Sequence, residues 1–592
     1  MQRKSALISI VLLGAFATLA ARADQPASPP DSEQVKFQWG VKIPLRDGVK
    51  LNATVYTPRQ QQEPAPCIFT LTPYISQNYH DRGMYFAAHG YPFLTIDVRG
   101  RGNSEGEFRP LIQEARDGHD VVEWLAQQPY CNGKVTMWGG SYAGYDQWVT
   151  AKEFPQHLAT IVPVASPYVG TDFPMRANIA APYQMQWLTH TSGKASQDRI
   201  FGDIAFWATV NRQWFESGKP FKELDTQLGN PSATFQEWAA HPRLDDYWDS
   251  YNPTSEQYAR LSLPILTITG AYDGDQPGAI EHYRQHMKHG SAQAKARHYL
   301  VIGPWDHAGT RTPQAQFGGL TFGPASLVDL PKLHLDWYSW TLQGGKKPEF
   351  LQKRVAYYVM NADRWRYADT LEAVTAQSRS YFLDSSSNAA DVVASGSLGS
   401  SPGNGKPDQY IYDPRDLSIA EVESDMEPWS LTDQRTIYAQ QGKQLVYHTA
   451  PFERDTEISG FFKLSAWLAI DQPDTDFVVS VHEIRPDASS ILLSNDQQRA
   501  RYRDSKRQAK LITTREPLKY DFDGFTFTSR MVAKGSRLRL VIGPAHSIYS
   551  QKNYNSGGDV SSESMSDARP VTVKLFHDRA HPSVLFVPIG QP

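Results

Sequence analysis

The chain has 592 residues, of which 40% are hydrophobic, 12% aromatic and 21% charged, with a formal net charge of −4. That length is too great for one core and calls for two or three domains. A mildly acidic chain without a basic stripe argues against nucleic acid as a partner.

The first residues read as an export signal. "MQRK" is a positive n-region, Ala6 to Ala20 is an apolar stretch, and Ala21-Arg22-Ala23 fits a cleavage site before Asp24. The apolar run is short for a membrane helix, so a signal peptide over 1–23 is preferred to a retained anchor. No later segment approaches a span. The expectation is a periplasmic or secreted protein without a membrane partner.

After the leader, "VKFQWGVKIPLRDGVKLNATVYTP" alternates about an Asp-Gly turn, as an antiparallel hairpin does. The rhythm then changes to short, nearly continuous apolar runs: "PCIFTLTPY", "YPFLTIDVRG", "KVTMWGG", "LATIVPVASP", "LPILTITGAYD" and "RHYLVIGPWDH". Helical patterns such as "RDGHDVVEWLAQQ" and "AIEHYRQHMKH" separate most of them. Buried strands alternating with helices predict an α/β domain over 35–350, with a mainly parallel sheet covered on both faces. Chemistry in such sheets gathers at the carboxyl ends of the strands. Residues 172–258 interrupt the alternation with a helical pattern carrying Trp187, Trp207, Trp214, Trp238 and Trp248, which predicts an inserted cap. From 351 to 592 helices are scarce and alternating runs such as "FFKLSAWLAI" predict a β-sandwich or jelly roll. Composition makes 385–406 a surface loop.

In "KVTMWGGSYAGY" a strand-like run stops at two glycines, presents Ser141, and continues as a helix. Glycine turns and serine caps explain such a junction; so does a nucleophile elbow, in which a strained turn pushes the hydroxyl into a cleft. A serine nucleophile needs a base and a group to orient it, in the order Ser, Asp, His for this layout. Asp273 follows one later strand and His307 the next. Asp306 adjoins His307 and should point elsewhere; Asp275 is the nearer rival to Asp273. The backbone N–H of Tyr142 would serve a developing oxyanion, and the loop after "FTLTPY" offers the phenol of Tyr74.

"LTPY", "DVRGRGNSEGEF", "GGSYAGY", "GAYD" and "GPWDH" together resemble the bacterial cocaine esterase and X-Pro dipeptidyl-peptidase group of serine hydrolases, with the α-amino-acid ester hydrolases and cephalosporin acylases similar to them. The resemblance covers nearly the whole mature chain. It implies an α/β-hydrolase fold with a helical cap and a C-terminal jelly roll. It also implies a triad at Ser141, Asp273 and His307, and a tyrosine hydroxyl in the oxyanion hole at Tyr74. Ala143 fills the place where common esterases have their last glycine. The amino-acid ester hydrolases carry two acids shortly after the triad Asp; here Asp275 fits the first and Gln276 replaces the second, which leaves amine recognition in doubt. Trp187, Trp207 and Trp214 of the cap are the candidate contacts for an apolar or aromatic acyl group, although packing would explain them equally.

Other chemistries fit poorly. Gly100, Gly102 and Gly106 do not make a phosphate-binding glycine loop, and Asp97, Arg99 and Gly102 read as a structural turn. Pro277 and Arg284 occupy ligand positions in what begins like a calcium loop. No Cys/His cluster suggests zinc. No metal or cofactor is expected, "RARYR" (499–503) reads as solvated or paired within the β domain, and nothing decides for or against a homo-oligomer.

The leading function is hydrolysis of a small-molecule carboxylic ester, or an amide, through an acyl-enzyme. The rivals are an amide-directed acylase or aminopeptidase and, outside enzymes, a glycan-binding jelly roll with a decayed hydrolase domain. A complete triad counts against decay. In the strand order of the resembled fold, the strand at Cys67 neighbours the one entered after Cys131. Parallel strands about 4.8 Å apart are compatible with the roughly 4.4–6.8 Å Cα separation of a disulfide. Cys131 precedes its strand by several residues, and buried free cysteine is common, so both states of the pair remain open.

Overall fold

A computed structural model describes residues 32–591, so the signal-peptide expectation for 1–23 lies outside the described residues. A ten-stranded sheet organises the first part of the chain. Its strands are β1 (Val35–Pro44), β2 (Lys50–Pro58), β3 (Ala65–Thr72), β4 (Phe93–Asp97), β5 (Cys131–Gly140), β6 (Leu158–Val164), β7 (Ile265–Gly270), β8 (His298–Gly303), β9 (Val355–Val359) and β10 (Arg364–Ala368). Their spatial order is β1-β2-β4-β3-β5-β6-β7-β8-β9-β10. From β4 to β9 all neighbours are parallel; β1, β2 and β10 pair antiparallel. The sheet therefore runs past residue 350 before the chain leaves it.

The apolar runs become central strands because both faces are covered. Helices α1 (His80–Ala88) and Leu330–Gln343 lay Phe86, Trp337 and Tyr338 on one face. Helices α2 (Glu114–Ala126) and α3 (Tyr142–Ala151) lay Val121, Leu125 and Trp148 on the other. Each such side chain contributes about 1.5–3 kcal/mol through burial. This scaffold fixes where the carboxyl ends of β3, β5, β7 and β8 converge.

The cap fills the gap between β6 and β7, with helices including Tyr183–His190, Ile204–Ser217 and Ala233–Ala239. Beyond β10 the chain is mostly antiparallel strand, as alternation predicts: in Lys463–Ile470, Leu464, Ala466, Leu468 and Ile470 all face the core. The first sheet is tied to this β domain by main-chain bonds, Met360 N–H to Ser529 O at 3.0 Å and Met531 N–H to Met360 O at 2.9 Å. "RARYR" is paired rather than solvated, through Arg499 with Asp476 and Arg501 with Asp474. Among the described residues no helix is long and apolar enough to cross a membrane.

Cys67 and Cys131 are free thiols, both buried. β5 starts at Cys131, nearer than the sequence implies, and the register sets Cys131 beside Ala65 and Cys67 beside Val135. Burial pushes the Cys67 thiol well up, while its hydrogen bond draws the Cys131 thiol down. Titration of denatured, unreduced protein should find two thiols per chain; finding none would establish a bridge.

Candidate active site

Ser141 sits between β5 and α3 with φ 62° and ψ −127°, a left-handed conformation that costs a non-glycine residue about 1–3 kcal/mol. Its neighbours make the turn feasible. Gly139 has φ 146°, and a Cβ there would lie 2.5 Å from Ala143 Cβ; a Cβ on Gly144 would lie 2.4 Å from Val164 O. Ser141 N–H donates to Val164 O at 3.0 Å, anchoring the turn to β6. The strain points to a nucleophile elbow rather than a plain helix cap, and the Ser141 side chain makes no capping bond.

Asp273 follows β7 and His307 follows β8. Asp273 Oδ1 lies 2.7 Å from His307 Nδ1, its side chain is fully buried, and it also accepts from Thr269 Oγ1 and Asp275 N–H, each at 3.0 Å. Asp306 turns away to accept from Gly309 N–H at 2.8 Å. Asp275 Oδ2 is 3.7 Å from His307 Nδ1, a second and looser charge. Burial opposes protonation of His307, but the Asp273 charge and hydrogen bond and the Asp275 charge outweigh it and raise the imidazole above its ordinary value. Asp273, Asp275 and His307 also have the spacing of a metal-ligand group, yet Asp273 is already committed to orienting His307.

On the β3 side, Tyr74 OH accepts from Trp187 Nε1–H at 2.9 Å, with the Ser141 hydroxyl as its other polar neighbour. Burial holds this phenol well above its usual range, so it stays protonated. A phenol that accepts from an indole keeps its own proton free to donate. Trp187 also stacks on Tyr142, ring centroids 5.9 Å apart and 12° from parallel. The Tyr142 hydroxyl accepts from Leu111 N–H at 2.8 Å and donates to Glu114 Oε1, which fixes the residue that follows Ser141. Buried Arg101 binds the carbonyls of Pro73, Ser192, Gly193 and Ala195, clamping the Tyr74 loop to the cap. "DVRGRGNSEGEF" is thus structural, and Arg101, which the sequence did not single out, is its anchor.

The expectations for Trp207 and Trp214 need correction. Trp207 Nε1–H donates to Ile200 O at 2.7 Å, and Trp214 is buried edge-on against Phe221 at 5.6 Å; both pack the cap interior, and only Trp187 of the three reaches the site. Gln276 is fully buried. Its amide donates to Gly270, Ala271 and Phe527 carbonyls and accepts from Phe527 N–H at 2.6 Å, joining the sheet to the β domain. It therefore does not stand in for a cleft acid. Asp172, which sequence reading missed, is a second buried acid whose charge Asp275 feels. Its carboxylate accepts from Tyr168 and Gly278 N–H groups, and burial beside Asp273 pushes it up to about 8. Asp275 is likewise raised, by burial first and then by the charges of Asp172 and Asp273. Tyr183, close enough to feel Tyr74 and Asp275, is 39% exposed and meets Phe173 and Phe201 ring to ring.

Known proteins show the same layout. Residues 47–309 match the X-Pro dipeptidyl-peptidase (S15 family) model, and residues 349–584 match that of the X-Pro dipeptidyl-peptidase C-terminal non-catalytic domain. The chain is 24% identical over 583 residues to the cocaine esterase of a Rhodococcus species, covering 93% of this chain and 98% of that one. An aminopeptidase from a marine sediment Thaumarchaeota archaeon superposes with TM-score 0.80 at 21% identity, covering 96% and 98% of the two chains. An α-amino acid ester hydrolase does so with TM-score 0.80 at 20% identity, covering 97% and 100%. With the two domain models matched in order and an esterase similar over its whole length, the chain belongs to the cocaine esterase and X-Pro dipeptidyl-peptidase group of serine hydrolases.

Proposed function

We propose that this enzyme hydrolyses a small carboxylic ester through an acyl-enzyme on Ser141, after export to the periplasm or the medium. The observation that carries the reading is the 2.7 Å Asp273–His307 bond set against a serine on a strained elbow. His307 Nε2 takes the Ser141 proton as Oγ attacks the carbonyl carbon. The oxyanion is received by the Tyr142 N–H and the Tyr74 hydroxyl. The C–O bond then breaks and the alcohol leaves with the proton from His307. Water attacks the acyl-enzyme with His307 again as base, releasing the acid and restoring Ser141. Catalytic hydrogen bonds between serine and base commonly tighten only with substrate in place.

A second reading concerns the acyl group. Asp275 lies 3.7 Å from His307 Nδ1 and feels the charge of a second buried acid, Asp172, and an ammonium beside them would favour the ionised form of two carboxyls that burial raises. We infer that the acyl group carries an α-amine, flanked by Tyr183, Phe173 and Trp187. A panel of phenylacetyl and α-aminophenylacetyl methyl esters, with the matching anilides, tests both readings. The α-amino ester should be preferred in kcat/KM by at least about 10-fold, equivalent to 1.4 kcal/mol, and Asp172→Asn should remove the preference. Preference for the plain acyl group would end the amine reading and leave the esterase reading standing. Faster cleavage of the anilides would recast the enzyme as an amidase.

A further inference from the structure

Two guanidinium groups beside the elbow have no role in the chemistry above. Arg311 follows His307 by four residues and lies so close to Gly140 that a Cβ there would meet its Nη1 at 2.5 Å. Its charge is felt by both His307 and Asp275. Arg82, on α1, lies against it: Arg82 Nη2 reaches Arg311 O at 3.5 Å and Thr312 Oγ1 at 3.2 Å, and the two positive charges disfavour one another. Arg82 is partly accounted for by the face of Trp138, 5.5 Å from its guanidinium carbon. Arg311 is not accounted for. Its side-chain bond is a long 3.5 Å contact with Thr310 Oγ1, and among the described residues neither arginine has a carboxylate within ion-pair distance. Both are half-buried.

Like charges are held together without a counter-ion only at a cost, and a planar fork of N–H donors is suited to a carboxylate. The position decides which part of a substrate could supply one. The oxyanion faces Tyr142 and Tyr74, and the acyl group faces the cap. Arg311 lies instead at the residue preceding the nucleophile, on the segment that carries His307, the group that returns a proton to the departing oxygen. We propose that Arg311, supported by Arg82, binds a carboxylate on the leaving group, so that the substrates are esters or amides of acid-bearing alcohols or amines. This rests on the acyl-enzyme reading for its placement, and specifies the substrate class of that same site.

The test compares 3-carboxyphenyl and 3-carbamoylphenyl esters of one acyl group, which match in shape and differ in charge. The ratio of their kcat/KM values is read, rather than either rate. The wild type should favour the carboxylate by about 10-fold or more; Arg311→Met should bring the ratio to near one, and Arg311→Lys should restore part of it. A wild-type ratio near one, or a ratio unchanged in Arg311→Met, would overturn the proposal. Calorimetry with 3-hydroxybenzoate, the product-side probe, separates the two levels of inference. If no ester is cleaved the esterase reading falls, while binding lost in Arg311→Met still supports the carboxylate site. Absent binding to the wild type, or equal binding to wild type and variant, overturns it.

Discussion

Ser141→Ala should lower kcat by roughly 10⁴–10⁶-fold while leaving the fold intact. The expectation of a large loss follows from the proposed triad. Asp273 is spent on His307, His307 is held above its ordinary pKa by that partner, and neither does useful work without a hydroxyl to deprotonate. The expectation of an intact fold follows from the Ser141 side chain, which caps no helix, so that alanine inherits the same strained backbone and loses no capping bond. A fluorophosphonate should label the wild type once, at Ser141, and the variant not at all. Labelling that persists in the variant would place the nucleophile on another serine, and a fall in melting temperature of many degrees would show that Ser141 supports the fold.

The next largest effect should come from the proposed oxyanion hole. Tyr74→Phe removes one donor and almost no volume, so kcat should fall by roughly 10²–10³-fold with little change in KM. If KM rose while kcat held, Tyr74 would be a substrate contact instead. Trp187→Phe probes the step behind it. Through the 2.9 Å bond from its indole, Trp187 occupies an acceptor site of the Tyr74 oxygen and restricts where the Tyr74 proton can point. Its loss should lower kcat by about 10-fold, the worth of one ordinary hydrogen bond. A packing role would make this cost independent of Tyr74. Positioning through the hydroxyl requires that Trp187→Phe add nothing once Tyr74 is already phenylalanine, so a double-mutant cycle distinguishes the two. Equal cost in both backgrounds would assign Trp187 to packing alone.

What was legible in the sequence was what is local. The central strands are continuous apolar runs because helices cover both faces, and Ser141, Asp273 and His307 mark themselves by ending such runs. The parallel order of β5, β7 and β8 places all three at one edge of the sheet. The rest depended on direction. Trp187, Trp207 and Trp214 are one residue type on cap helices, and only packing decides that one bonds Tyr74 while two pack the cap interior. Asp275 and Gln276 are adjacent, yet one lies 3.7 Å from His307 and the other binds the β domain. Asp172 lies in an aperiodic turn before a proline, and Arg82 meets Arg311 across 229 residues of chain. No spacing rule could have joined them.

The clamp that Arg101 makes between the Tyr74 loop and residues 192–195 bears on how this enzyme could be redesigned. A detachable lid can be exchanged between relatives to change what an enzyme accepts. Here the cap supplies the indole that bonds Tyr74, and Arg101 fastens cap and loop together, so the cap and the proposed oxyanion donor are one piece. Grafting a foreign cap would disturb turnover along with selectivity unless its Trp187 equivalent and its Arg101 contacts came with it.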